Sequence, residues 1–260
     1  MIMKAKKALF MVLAAVFLAV PMAAHAAEDV HALKNEVEMM RKDMDEIKRV
    51  LISILPVLVK NEGVDGSQQV VPPQRVETPQ SATVSIDGSP SMGKSDIPLV
   101  LVEFSDYECP FCARFNAEVL KQVKREYIDT GRLRFVYKDF PLPFHQNAMK
   151  ASMAARCAGE EGRYWEMHDA LLENQQNIGD VDGLVKRTGL NAATFNECMK
   201  SRKYEDAVQR DLNDGRELGI NGTPTFILGR LDASGKVTGN VIQGAMPYAV
   251  FKTKIEALLK

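Results

Sequence analysis

The sequence predicts an α/β domain made of a βαβ half and a ββα half, with a large helical insertion between them and an N-terminal coiled-coil helix ahead. Three observations predict this. The apolar run Leu99-Val100-Leu101-Val102-Glu103-Phe104 is followed by an amphipathic stretch and then by a second strand-like run from Leu133 to Tyr137. Strand, helix, strand in that order requires a parallel pair joined by a crossover helix. Strand signals then vanish over about residues 141–218 and return at Thr225-Phe226-Ile227-Leu228 and around Val237–Ile242. Finally, apolar residues ahead of the domain recur at alternating spacings of three and four, the period of a coiled-coil seam.

Taken in order, the chain opens with Lys4, Lys6 and Lys7, an apolar run from Ala8 to Val20, Pro21, and Ala24-His25-Ala26. Basic, apolar and small-residue segments in that order predict a signal peptide, residues 1–26, cut after Ala26. The apolar run is about 13 residues, whereas a bilayer crossing takes roughly 20; an uncleaved anchor is the other reading. The mature protein is therefore expected in the periplasm or otherwise outside the cytoplasm. In residues 27–60 the seam runs through Val30, Leu33, Val37, Met40, Met44, Ile47, Leu51, Ile54 and Leu58, with mostly charged residues between. A narrow apolar stripe on a helix over about residues 29–55 needs a cover, and the expected cover is a second copy of the chain. The alternatives are its own catalytic domain or a partner's surface. Pro56 must end or kink the helix. Residues 61–82 hold Gly63, Gly66, Pro72, Pro73 and Pro79 among polar residues, the composition of a linker.

The remainder, residues 83–260, reads as one domain. A helix is expected from Pro110 to about Tyr127, with Phe111, Phe115, Val119 and Val123 as its core stripe. Further helices are expected over Asn147–Glu160, Trp165–Asn174, Val181–Thr188, Ala192–Ser201 and Tyr248–Leu259. With 46% hydrophobic and 26% charged residues and a net charge of -1, the composition is that of an ordinary globular protein. No basic stripe with interleaved aromatics points to nucleic acid.

Cys109-Pro110-Phe111-Cys112 falls where a buried strand gives way to a helix. A cysteine there lies beside unpaired backbone N–H groups and the positive end of the helix dipole, which stabilise the attacking thiolate. Pro110 suits the first helical position, where its missing donor costs nothing. Cys112, one turn in, is shielded and placed to attack a mixed disulfide at Cys109. Cys109 is thus the expected nucleophile and Cys112 the resolving thiol. A zinc site normally takes four ligands, and Cys157, Cys198, His145 and His168 offer no second ligand-spaced pair; no metal or organic cofactor is expected. Cys157 and Cys198 lie on two helices of the insertion, and bridging them would close a loop of about 42 residues, worth about 4 kcal/mol. A structural disulfide is expected; two buried free thiols, or a second redox pair, are the alternatives.

Gly222-Thr223-Pro224 before an apolar strand, together with the CPFC motif and the strand order, closely resembles the cis-proline loop of the thioredoxin superfamily. Val102-Glu103-Phe104-Ser105-Asp106-Tyr107-Glu108 running into the motif, Asp139-Phe140-Pro141-Leu142 with His145, and the insertion resemble a DsbA-like extracytoplasmic disulfide oxidoreductase, over about residues 85–260. The resemblance implies a thioredoxin fold, a cis Thr223–Pro224 bond whose Thr223 backbone meets substrate, and a buried Glu103 relaying protons for Cys112. It also implies cysteine-containing protein substrates and a redox partner that resets the pair. His145 and Phe111 are expected at the substrate groove, and Glu108 exposed beside Cys109. The family's strongest oxidants carry histidine where this chain has Phe111, so the thiolate is expected to rest chiefly on the helix start, making a milder oxidase or an isomerase. A peptide-binding chaperone that leaves CPFC unused is the alternative from another class.

Overall fold

The computed structural model describes residues 80–260. The signal peptide, the coiled-coil helix and all but the end of the linker lie outside the described residues. Six strands form one sheet: β1 (Ser81–Ser85), β2 (Ser91–Met92), β3 (Leu99–Ser105), β4 (Arg134–Asp139), β5 (Thr225–Leu231) and β6 (Lys236–Gln243), in the order β1-β6-β5-β3-β4-β2. Strands β3 and β4 are parallel, with Glu103 opposite Tyr137, as the crossover helix between them requires. The other pairs are antiparallel. All seven residues of β3 are buried, which fits a central strand covered on both faces and explains its unbroken apolar run.

The crossover helix α1 spans residues 110–128, but not as one regular helix. Pro110–Arg114 and Lys121–Val123 are α-helical, while Phe115–Leu120 and Lys124–Ile128 wind as wider π turns. The first π turn buries Phe115 with Asn116 and Val119 with Leu120, so neighbouring residues both face inward where an α-helix would bury every third or fourth. Phe111 departs from the expected stripe and is 54% exposed. It sits in the first turn, beyond the packed part of the helix, with the Arg114 guanidinium 5.2 Å from its ring centre.

Four insertion helices, α2 (Ala148–Gly159), α3 (Tyr164–Glu173), α4 (Val181–Thr188) and α5 (Ala192–Ser201), share one core with α1, α7 (Tyr248–Leu259) and one face of the sheet. Helix α6 (Glu205–Glu217) packs on the opposite face through Leu212, against Phe104, Val136 and Phe140. Gly215 makes this approach possible: a Cβ there would come within 2.5 Å of the Phe140 ring. Buried charges fasten the same helix. Lys138 Nζ lies 2.8 Å from Asp211 Oδ1 and 2.8 Å from Asp214 Oδ2, and Arg156 bridges Asp139 at 2.7 Å and Asp211 at 2.5 Å.

Strand β1 begins inside the stretch whose composition reads as linker. Ser81 and Ala82 pair with Asn240 and Gly239 of β6, and only Ala82 and Val84 of the five strand residues are buried. Such a short, half-polar alternation is masked by the Pro- and Gln-rich sequence before it. Cys157 of α2 and Cys198 of α5 are joined by a disulfide, with Cα atoms 5.8 Å apart. Among the described residues no helix is long and apolar enough to cross a membrane.

Candidate active site

The chain leaves the C-terminal end of the central strand β3, and a short turn over Asp106–Cys109 hands it to α1. Cys109 is the N-cap residue, with extended backbone (φ -76°, ψ 118°), and Pro110 opens the helix. Both cysteines are unbridged; Cys109 is 4% exposed and Cys112 fully buried. Cys109 Sγ lies 3.4 Å from the Thr223 carbonyl oxygen, and the Thr223–Pro224 bond is cis.

The two thiols meet opposite electrostatic conditions. Cys109 is lowered from 9.0 to about 6, chiefly by the neighbouring Cys112 thiol, against the opposing effect of burial. Cys112 is pushed well above 9.0, by burial first and then by Cys109 and Glu103. Glu103 is 2% exposed, and burial raises its carboxyl from 4.5 to about 8. Tyr137 and Phe226 flank it in register on either side, leaving an acid that is protonated near neutral pH under the cysteine pair.

Polar side chains tie the turn itself. Asp106, 1% exposed, accepts from Glu108 N (2.7 Å) and Leu142 N (2.7 Å). Gln175 Nε2 donates to the carbonyls of Tyr107 (2.8 Å) and Cys109 (2.9 Å). The Tyr107 hydroxyl lies 3.1 Å from His168 Nδ1 and 3.3 Å from the Tyr164 hydroxyl, and burial holds His168 neutral by lowering it to about 3. Outside this scaffold, the exposed large apolar residues among those described are Phe111, Phe144 and Met246. Beside the start of α1 runs a groove of about 410 Å³, lined in part by Arg114, Glu118, Met246 and Tyr248.

Residues 85–245 match the family model described as Thioredoxin. The chain belongs to the thioredoxin family. It is similar to Disulfide bond formation protein D of Bacillus subtilis (strain 168), at 29% identity over 194 residues, covering 69% of this chain and 81% of that protein. Its fold is similar to the crystal structure of oxidised BdbD from Bacillus subtilis, with a TM-score of 0.58 and 27% identity over 69% of this chain and 97% of that one. A second solved neighbour, alpha-DsbA1 of Wolbachia pipientis, has a TM-score of 0.60 and 23% identity over 66% of this chain and 92% of that one. Longer relatives include Na(+)/H(+) antiporter NhaA 1 of Salinispora arenicola (strain CNS-205), 32% identical over 168 residues, of which this chain spans 25%. This thioredoxin-family protein is a DsbA-like thiol–disulfide oxidoreductase.

Within this thioredoxin-family fold, Cys109, Cys112, Glu103, Thr223 and Pro224 come together, and Phe111 stands exposed beside them. One expectation changes here. Glu108 is half-buried rather than exposed, because its carboxylate accepts from the backbone and side-chain amides of Asn147 at 2.5 and 3.0 Å. His145 has its Nδ1 2.9 Å from Asp106 Oδ2 and a side chain only 18% exposed, so one ring nitrogen is already engaged. Cys157 and Cys198 are bridged within the insertion, apart from this pair. Asp106 and Gln175 were missed; each has partners 36 or more positions along the chain, and no local pattern marks them.

Proposed function

We propose that this DsbA-like oxidoreductase acts outside the cytoplasm, after signal-peptide cleavage, exchanging disulfides with protein substrates through Cys109 and Cys112. The observation that carries this is the geometry of the pair: Cys109 caps α1 with its Sγ 3.4 Å from the carbonyl of Thr223, ahead of the cis Pro224, and Cys112 is buried one turn on. In the oxidised enzyme a substrate thiolate attacks Cys109 Sγ, the Cys109–Cys112 bond breaks, and Cys112 leaves with the electron pair. Glu103, protonated below about 8, supplies the proton that Cys112 takes up. A second substrate thiolate then attacks the substrate sulfur of the mixed disulfide and expels Cys109 as its stable thiolate. The substrate is oxidised by two electrons and the cysteine pair reduced by two, to be reset by a redox partner. Thr223 and Pro224 hold the extended substrate, Phe111 offers it an apolar face, and His145, anchored on Asp106, borders the groove.

We read the direction as net oxidation, because a lowered Cys109 is the better leaving thiolate when the substrate disulfide is released. Isomerisation is the second reading, and it depends on residues 29–55 assembling several active sites around one substrate. The deciding assay presents a reduced substrate and a scrambled-disulfide substrate to three proteins: the mature chain, a form lacking residues 27–79, and Cys109→Ala. Rapid oxidation by both Cys109-containing forms supports the oxidase. Reactivation of scrambled substrate by the mature chain alone supports the isomerase. Inactivity in both assays, with Cys109→Ala still suppressing aggregation, would leave a peptide-binding chaperone.

A further inference from the structure

Tyr164, His168 and Gln175 are spaced four and seven apart, so the first two share one face of α3 and Gln175 follows in the short 3₁₀ turn Gln175–Asn177. All three reach the turn that carries Cys109. Tyr164 and His168 meet the Tyr107 hydroxyl, and Gln175 takes the carbonyls of both Tyr107 and Cys109 on a single nitrogen. Tyr107 is therefore gripped at its ring tip and at its backbone.

We propose that Gln175 is a positioning residue for Cys109, through which the helical insertion sets the reactivity of the nucleophile. This rests on the exchange chemistry assigned above to Cys109. The Cys109 carbonyl is the group on which α1 starts: it accepts from Cys112 N at 3.1 Å and Ala113 N at 3.2 Å, while Cys109 N donates to the Asp106 carbonyl at 3.1 Å. The direction of that carbonyl and the place of Sγ follow from the same backbone torsions. Gln175 pins the carbonyl from outside the helix and fixes its distance from that of Tyr107. Sγ is thereby held where it meets the Thr223 carbonyl at 3.4 Å, beside the cis Pro224. An uncharged amide neither gives nor takes a proton here, so its effect passes through geometry. Its neighbour Gln176 is exposed and has no such bonds.

The test compares Gln175→Met, which keeps length and bulk but removes the donor, with Gln175→Ala and the control Gln176→Ala, all in the full chain. Cys109 titration is followed by thiolate ultraviolet absorbance in the reduced proteins, and folding by near-ultraviolet circular dichroism. Losing two donors to this turn is expected to raise the Cys109 pKa by about one unit. That leaves about fivefold less thiolate, and about fivefold slower alkylation, near pH 6. Gln176→Ala is expected to match the parent. A folded Gln175→Met titrating with the parent, or collapse of both Gln175 variants, would overturn the positioning role. Exchange activity is measured in parallel against Cys109→Ala: an inactive parent sinks the exchange chemistry by itself, whereas the titration reads Gln175 either way.

Discussion

Cys109 and Cys112 are one helical turn apart, yet the first is lowered to about 6 and the second raised. Alkylation of the reduced protein should therefore rise through about pH 6 and reach Cys109 alone, as peptide mapping of the labelled protein will show. The same shift acts on stability. A group whose acidity increases on folding stabilises the fold fully above its unfolded value and loses that contribution as pH falls through the folded one. Reduced protein should gain stability from about pH 6 up to 9.0, and Cys109→Ala should lack that gain in melts across the range. Glu103 works in the other direction. Its acidity falls on folding, so its burial penalty is absent below 4.5 and grows until about pH 8. Glu103→Gln should melt higher than the parent at pH 8, by about 2 kcal/mol or more for a buried charge removed, while clearing mixed disulfides more slowly in a quenched-flow assay. CPFC was legible as a local pattern at a strand-to-helix junction, whereas Glu103 and the Thr-Pro pair were reached through the family resemblance. Asp106 and Gln175 were not, since a lone Asp or Gln acquires its role only from partners that folding brings to it.

At the scale of elements, the insertion depends on two fastenings of different kinds. The Cys157–Cys198 bond closes a loop with a sequence separation of 41. Replacing both cysteines by alanine should lower unfolding stability by about 4 kcal/mol, measured by urea denaturation. Its substrate exchange should remain in the same assay, because the bridge is separate from the CPFC pair. The seat of α6 depends on the absence of a side chain. Gly215→Ala would place a methyl within 2.5 Å of the Phe140 ring and 3.1 Å of Phe104, and should cost about 1–3 kcal/mol in the same titration. Most element positions were legible from periodicity: Val181–Thr188, Ala192–Ser201 and Tyr248–Leu259 fall where the pattern puts them. The π turns of α1 were hidden, because a period of 3.6 is assumed before the pattern is counted. Pairs of adjacent inward residues, such as Phe115 with Asn116, then register as noise. The buried Lys138, Arg156, Asp139 and Asp211 were hidden for a related reason: charged residues read as surface until their partners are known.

For the whole molecule, the layered α/β architecture followed from the order of apolar runs, while the outer strands did not. Strand β1 is the first of the described strands and pairs only with β6 among them, close to the other end; the Thr83 and Thr238 hydroxyls meet at 2.9 Å across 155 positions. This gives the domain a late-closing topology, since contacts so distant in sequence form slowly. A nascent chain still held near its C-terminus on the ribosome has made β1, both active-site cysteines and the whole insertion, but lacks the β6 residues with which Ser81–Ser85 pair. Until β6 arrives, the first strand is an open edge and a target for misassociation. An oxidoreductase that acts on the cysteines of others thus leaves its own first strand open to misassociation for most of its synthesis.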